Sequence, residues 1–315
     1  MIDNLLFSLN SAAPIFIILL AGYLIKVRGL INDVFIRQAN RLIFYVALPV
    51  KLFMDVGKTS FQGSFDIRFI LFIITGTLLS IPIASAAAAL GVKDPKKKGA
   101  FVQGAFRGNF LYVGYSLLEN LLGSGGPLAP IAFAFVVPLY NVLGIVVLAW
   151  YSGSQDKPLS FQGTLKNIIT NPLILSIGAG LLFSLAGFEL PLLLDRSFTY
   201  FGDLVTPLAL LMIGASFRPR MLRENFGISL LASSLKLVFL PLMAVVAACW
   251  LGFQGQALLV IYVVFGVPTA ATSYVVAHIM GGDKDLASSI IMLSTLLSVF
   301  TITLFVFAFR TLGLL

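Results

Sequence analysis

Two stretches of an otherwise apolar sequence combine helix-breaking residues with polar side chains. The first is Arg107-Gly108-Asn109, and the second spans residues 266–273. Glycine and proline free backbone amides and carbonyls from helical hydrogen bonds. Lipid tolerates such groups only where they line a polar cavity or face protein. A guanidinium group also suits two-point contact with a carboxylate. We therefore predict a site for a small anion at these residues: Arg107, Gly108, Asn109, Gly266, Pro268, Thr269, Thr272 and Ser273.

Two prolines and two charged residues are predicted to support this site. Pro49 and Pro207 interrupt two other apolar runs, where each could shape the site or only kink a helix. Lys236 lies inside a further apolar run. It could neutralise a bound anion or form an ion pair with Asp203.

Structural explanations compete with the binding interpretation. Glycine and proline are more frequent in membrane helices than in soluble ones, and many such helices only kink. Arg107 could extend to the lipid surface or bind carbonyls at a helix C-terminus. We also expect Lys51 to form a local ion pair with Asp55, four residues along one helical face, and Glu119 to be solvated near a helix end.

The composition requires a membrane around these residues. Hydrophobic residues make up 59% of the 315 residues and charged residues 11%, with a mean hydropathy of +1.01. Ordinary soluble domains carry roughly 25% charged residues, so a water-soluble surface of this size could not be covered. One cysteine and one histidine exclude an intramolecular disulfide and a histidine-cluster metal site, and we expect no cofactor.

Apolar runs separated by charged or glycine-rich loops predict ten membrane spans of ~20 residues each. Most of the 21 Lys and Arg residues fall in loops on one side. This predicts an integral protein of the bacterial cytoplasmic (inner) membrane with both termini outside. The same distribution accounts for the net charge of +8, so we expect no nucleic-acid partner. The predicted spans lie near 5–25, 38–57, 69–91, 100–122, 128–151, 167–187, 197–217, 226–249, 256–280 and 287–309.

The sequence contains a weak internal duplication. A shift of 158 residues aligns helix breakers more often than chance predicts, without a gap. The single membrane domain 1–315 then divides into a first five-helix repeat, 1–155, and a second, 156–315. Because five is odd, the second copy enters the membrane from the opposite side, and inverted repeats are typical of secondary transporters. The aligned pairs include Pro14 with Pro172, Gly22 with Gly180, Gly29 with Gly187, Pro49 with Pro207, Gly108 with Gly266, and Gly123 with Gly281.

Several short motifs resemble those of the auxin efflux carrier family of membrane transporters. They are Pro14-Ile15-Phe16, Ala21-Gly22-Tyr23, Phe44-Tyr45-Val46-Ala47-Leu48-Pro49, Arg107-Gly108-Asn109, Thr206-Pro207-Leu208-Ala209-Leu210 and Gly266-Val267-Pro268-Thr269-Ala270. The resemblance runs over essentially the whole chain. It implies an all-α polytopic fold of ten helices, in which the unwound fourth and ninth helices cross with Asn109 and Pro268 at the crossing. It also implies transport of small organic anions such as auxin or dicarboxylates.

Two features depart from the plant members of that family. Those members commonly have proline after the crossover asparagine, whereas this chain has Phe110, so Gly108 must permit the first break. The long cytoplasmic loop of many plant carriers is also missing, because 151–166 is short. These departures argue against auxin itself as the substrate.

The sequence thus predicts a secondary carrier of a small organic anion that works by alternating access at a midplane site, and not an enzyme. A cation- or proton-coupled exchanger is the first alternative, although only Asp203 and Asp55 offer carboxylates within spans. An intramembrane hydrolase is the second, since Gly202-Asp203 faintly resembles an aspartyl protease motif without a second aspartate. The expected partners are the anion and the lipid bilayer; coupling to H⁺ or Na⁺ and a homodimer are compatible with this interpretation.

Overall fold

The computed structural model describes residues 2–58, 66–122, 128–152, 170, 172–217 and 224–314. Secondary structure in these ranges is helical, apart from one bridge between two single residues. The α-helices are α1 (Ile2–Val27), α2 (Asp33–Leu42), α3 (Leu48–Gly57), α4 (Ile67–Gly91), α5 (Pro95–Phe106), α6 (Tyr115–Leu122), α7 (Leu128–Ser152), α8 (Pro172–Leu185), α9 (Leu192–Asp203), α10 (Val205–Ala215), α11 (Phe226–Ser234), α12 (Leu240–Trp250), α13 (Gly255–Gly266), α14 (Ser273–Ile279) and α15 (Lys284–Thr311).

In the described ranges, five helical stretches are long and apolar enough to cross a bilayer. They are 67–91, 128–151, 192–215, 226–250 and 284–311. Their outward faces carry large apolar side chains such as Leu79, Leu90 and Phe300, which water would not favour and lipid does. The expectation of an all-α polytopic membrane protein is therefore confirmed.

Within the described residues, each predicted span contains helix, and several spans are divided into two helices. One turn of π-helix, Ile43–Ala47, joins α2 to α3, and another, Leu235–Phe239, joins α11 to α12. Pro49 and Pro207 each follow a junction, at Ala47 and at Leu204, where the backbone stays in the right-handed helical region. Both prolines therefore accompany bends rather than extended breaks. Gly123 and the loop 153–169, which figured in the sequence analysis, lie outside the described residues.

The ends of α1 and α8 are built alike. Gly29 and Gly187 follow the two helices with φ of 75° and 67°, the left-handed conformation that glycine adopts without strain. In each case the glycine amide donates to a carbonyl three residues back: that of Lys26 in one helix and of Ser184 in the other. These positions differ by the 158-residue shift.

Helices from the two halves pack in a reciprocal arrangement. α1 packs against α10, and α3 packs against α8. A Cβ atom on Gly22 would collide with the carbonyl oxygen of Leu211, and one on Gly180 would stand 2.8 Å from that of Phe53. The shift that aligns Gly22 with Gly180 also aligns Phe53 with Leu211, so the same close approach occurs twice.

The most deeply buried helices are α5 and α13. Every residue from Gly99 to Phe106 and from Leu258 to Gly266 is buried. Asp94 caps α5 by accepting a hydrogen bond from the amide of Lys96, and Pro95 occupies its first turn. Both helices end inside the protein, and their ends form the candidate site.

Candidate functional site

The chain segments that follow α5 and α13 cross in the core and pair with each other. Arg107 and Val267 have extended backbone conformations directly after the two helices. The amide of Asn109 donates to the carbonyl of Pro268 at 2.7 Å, and the amide of Ala270 donates to that of Arg107 at 3.1 Å. This short antiparallel pairing satisfies backbone groups that a broken helix would otherwise leave exposed to lipid.

Local chemistry explains why both helices stop here. Val267 precedes Pro268, and the proline ring disfavours helical backbone in the preceding residue. Val267 accordingly has φ −74° and ψ 154°. Gly108 permits the close approach on the other side, since a Cβ there would stand 3.0 Å from Nζ of Lys236 and 3.1 Å from the carbonyl of Val264. The helical path then resumes at Phe110, in a π-helical turn that leads into α6.

Arg107 lies buried beside the crossing and binds neutral partners. Only 4% of the residue is exposed. Its Nη2 donates to Oδ1 of Asn141 at 2.6 Å and to Oγ1 of Thr272 at 3.0 Å. Its Nη1 is buried without a hydrogen-bond partner among the described residues. In the part of the chain that the structure describes, no carboxylate forms an ion pair with this guanidinium.

Lys236 is a second cation at the same crossing. Its side chain is fully buried, and Nζ donates to the carbonyl of Phe265 at 2.6 Å, next to the last residue of α13. A cation at this position interacts favourably with the negative end of the helix. The alternative ion pair with Asp203 is wrong, because Asp203 is exposed at the end of α9 and Lys236 points to the crossing.

The other residues predicted for the site are divided between the crossing and more distant positions. Thr269 is fully buried, with Oγ1 donating to the carbonyl of Gly104 at 2.7 Å and its amide donating to Oγ of Ser294 at 3.1 Å. Ser273 is buried and its hydroxyl has no hydrogen-bond partner among the residues that the structure describes, whereas Thr272 is exposed. Thus all eight residues predicted for binding lie on the two crossing segments. Asp203 is exposed at the end of α9, and Pro49 and Pro207 lie on α3 and α10.

Sequence reasoning missed three residues that contact Arg107 or its surroundings. Gln103 lies one helical turn before Arg107 on α5, is fully buried, and has no hydrogen-bond partner for either amide atom in the described residues. Asn141 and Gly144 face this cluster from α7. An amide inside an apolar span, such as Gln103 or Asn141, was the available signal, because polar groups at membrane depth are costly and rare.

A second polar cluster lies at α6 and contains an ion pair. Nζ of Lys51 contacts Oε1 of Glu119 at 2.6 Å, and Oγ1 of Thr206 donates to the other carboxylate oxygen at 2.9 Å. Glu119 is therefore not simply solvated, which corrects that expectation. The side chain of Asp55, the predicted partner of Lys51, lies outside the described residues.

Comparison with known proteins places this architecture in a family. A family model described as "Membrane transport protein" matches residues 7–155 and 157–306. A protein of Methanothermobacter thermautotrophicus named "Uncharacterized transporter" is 27% identical, over 94% of this chain and 97% of its own length. An uncharacterized transporter of Methanocaldococcus jannaschii is 23% identical, over 92% and 95% of the two chains. A Rhizobium meliloti protein named "Putative malonate transporter" is 29% identical, over 86% of each chain. With nearly the whole chain matched, the protein belongs to the auxin efflux carrier-like family of membrane transport proteins.

Proposed function

We propose that this protein is a secondary transporter that carries a small organic anion, a carboxylate, across the membrane by alternating access at the helix crossing. One observation carries the proposal. Arg107 and Lys236 are two buried cations at the crossing, and their hydrogen-bond partners among the described residues are all uncharged.

A buried cation without a counter-charge is energetically costly, and structural sites normally supply an acidic partner. A transport site for an anion has the opposite requirement. A permanent carboxylate would neutralise the cations and repel the substrate. An arriving carboxylate instead provides the missing charge and the missing hydrogen-bond acceptors.

The substrate class we favour is a dicarboxylate. Two buried cations at the crossing match two negative charges: Arg107 directly precedes Gly108, and Nζ of Lys236 lies 3.0 Å from where a Cβ on Gly108 would stand. The name of the Rhizobium relative, which covers 86% of both chains, points to the three-carbon dicarboxylate malonate.

We further propose ten membrane spans arranged as two inverted five-helix repeats, 1–155 and 156–315. Helix bounds support the duplication: shifting α3 by 158 residues gives 206–215, against Val205–Ala215 for α10. The same shift takes α4 to 225–249, against the continuous helical stretch 226–250. The reciprocal packing of α1 on α10 and α3 on α8 is the arrangement that two related bundles would produce.

The charge distribution in the loops supports placement in a bacterial inner membrane with both termini outside. In this arrangement the crossing lies near the midplane, and the two halves rock around it so that the site opens to each side in turn.

The energy for transport comes from the substrate gradient or from coupled H⁺ or Na⁺. The carrier operates as a monomer or as a homodimer of the same unit.

Uptake into proteoliposomes tests the proposal. Purified protein should take up malonate or another small dicarboxylate with saturable kinetics, and preloaded unlabelled substrate should accelerate entry by counterflow. Imposed H⁺ and Na⁺ gradients, varied separately, identify the coupling ion. Cation exchange without any organic anion would favour the exchanger, and cleavage of a membrane peptide would favour the hydrolase.

A further inference from the structure

Two buried hydrogen-bond donors converge on a glycine of α7. The position that a Cβ would occupy on Gly144 lies 3.1 Å from Nε2 of Gln103 and 3.3 Å from Nη1 of Arg107. The next atom, Cγ of Gln103, is 3.8 Å away. Both nitrogens are buried, and neither has a hydrogen-bond partner in the part of the chain that the structure describes.

The local structure directs both donors to this point. Gln103 and Arg107 are four residues apart, so they lie on one face of α5. Asn141 and Thr272 bind Nη2 of Arg107, which fixes the plane of the guanidinium and leaves Nη1 facing Gly144. A side chain at residue 144 would press against both nitrogens and displace them.

Buried polar atoms without partners are uncommon in native proteins, and each calls for a physical explanation. Here the unpartnered atoms are an amide nitrogen beside a guanidinium nitrogen, which are the donors that a carboxylate oxygen accepts from most strongly. Gln103 is fully buried, so exposure at the protein surface does not explain its unpartnered amide.

We propose that Gln103, Arg107 and Gly144 form the subsite that binds one carboxylate group of the transported anion. Nε2 of Gln103 and Nη1 of Arg107 donate to the carboxylate, and Gly144, which has no side chain to displace them, lets α7 pack directly against both nitrogens. Asn141 is a positioning residue that acts through Arg107. This inference rests on the proposed function and adds residues that bind the substrate.

Substitution of Gln103 by its acidic isostere provides a sharp test. In Gln103→Glu the new carboxylate stands beside Arg107 and takes the place of the substrate carboxylate. We expect the purified variant to melt at or above the wild-type temperature without ligand, and to lose stabilisation by malonate. In Gln103→Leu we expect the Kd for malonate to rise about tenfold or more, because hydrogen bonds to charged groups are the stronger ones. A purely structural glutamine would instead make both variants melt at lower temperature and leave the Kd unchanged.

Gly144→Ala adds a methyl group that presses against both donor nitrogens, and Gly178→Ala is the matched control. A Cβ on Gly178 would contact nothing within 4 Å, and this residue lies on α8 away from the crossing. We expect Gly144→Ala to raise the Kd for malonate about tenfold and Gly178→Ala to leave it unchanged.

The measurement is binding of acetate, malonate and succinate to the detergent-purified full chain, with uncharged malonamide as the negative control. Binding of a carboxylate to wild type with unchanged Kd in Gln103→Leu, Gln103→Glu and Gly144→Ala would overturn the subsite and leave the proposed function standing. Absence of binding and of uptake for all three carboxylates in wild type would overturn both.

Discussion

The crossing and the cluster at α6 both contain charged side chains within the protein, but among the described residues only the cluster at α6 contains a counter-charge. Lys51 meets the carboxylate of Glu119 at 2.6 Å, and Thr206 donates to the same carboxylate. At the crossing, Arg107 and Lys236 meet an amide, a hydroxyl and a backbone carbonyl. The ion pair at α6 needs no ligand to balance its charges. At the crossing, a bound anion would supply the negative charge that Arg107 and Lys236 lack among the described residues.

The two regions also differ in what they connect. The ion pair joins α3 to α6, with Thr206 contributing from α10, so it links helices of both halves of the sequence. The crossing joins the two unwound segments directly through backbone hydrogen bonds. We expect substitutions at α6 to change stability and those at the crossing to change substrate binding.

Removing the guanidinium should have the largest effect on transport. Arg107→Ala deletes the charge and one of the donors to the substrate carboxylate, and we expect the initial uptake rate to fall about 100-fold, in line with the loss of a buried charge contact. Membrane insertion should remain intact. The matched control is Arg68→Ala, because Arg68 is exposed at the start of α4 and forms its ion pair with the neighbouring Asp66. Uptake by Arg107→Ala at the rate of the control would remove Arg107 from the site.

Lys236→Met should separate binding from stability at the same crossing. The substitution removes a cation and its contact with the carbonyl of Phe265 but also removes the cost of a buried charge, so the two effects on stability partly offset each other. We expect uptake to fall about tenfold while the melting temperature changes little. A large drop in melting temperature with normal uptake would make Lys236 a structural residue.

Replacing the crossover residues themselves should slow turnover by a smaller factor. Pro268→Ala restores an amide and relaxes the constraint that ends α13, so the extended segment can return to helix. Asn109→Ala leaves the backbone bond to Pro268 in place and removes a buried polar side chain. We expect both variants to be expressed at normal levels and to transport several-fold more slowly in proteoliposomes. If both transport at the wild-type rate, the crossing is not the transport site.

The ion pair at α6 should show the opposite pattern, with the smallest effect on binding. Glu119→Gln and Lys51→Met should each lower the unfolding free energy by about 1–3 kcal/mol. The double variant should lose less unfolding free energy than the two single variants lose together, because Lys51 and Glu119 are each other's partners. Malonate affinity should be unchanged in all three proteins. A tenfold loss of affinity in Glu119→Gln would contradict the distinction between the two regions.

Local rules predicted the positions of the helix breaks. Gly108 and Pro268 are helix breakers, and α5 and α13 end two residues before them because of the conformations that these residues permit or forbid. The sequence left open whether Pro49 and Pro207 shape the site or only kink a helix, and in the structure the backbone beside both prolines stays helical.

Partners that come from distant helices could not be read from the sequence. Lys236 binds a carbonyl 29 residues further on, and Lys51 pairs with Glu119 across 68 positions of the chain. The duplication aligns Gly108 with Gly266, yet the structure pairs Gly108 with Thr269. Such contacts depend on how helices approach and rotate, which periodicity and composition do not specify.

The central claim is that the crossing of the two unwound segments binds a small organic anion. Thermal stabilisation of purified wild type and Arg107→Gln by a panel of mono- and dicarboxylates tests it most directly. We expect at least one dicarboxylate to raise the melting temperature of wild type and none to raise that of Arg107→Gln. Equal stabilisation of both proteins, or no stabilisation of wild type by any member of the panel, would contradict it.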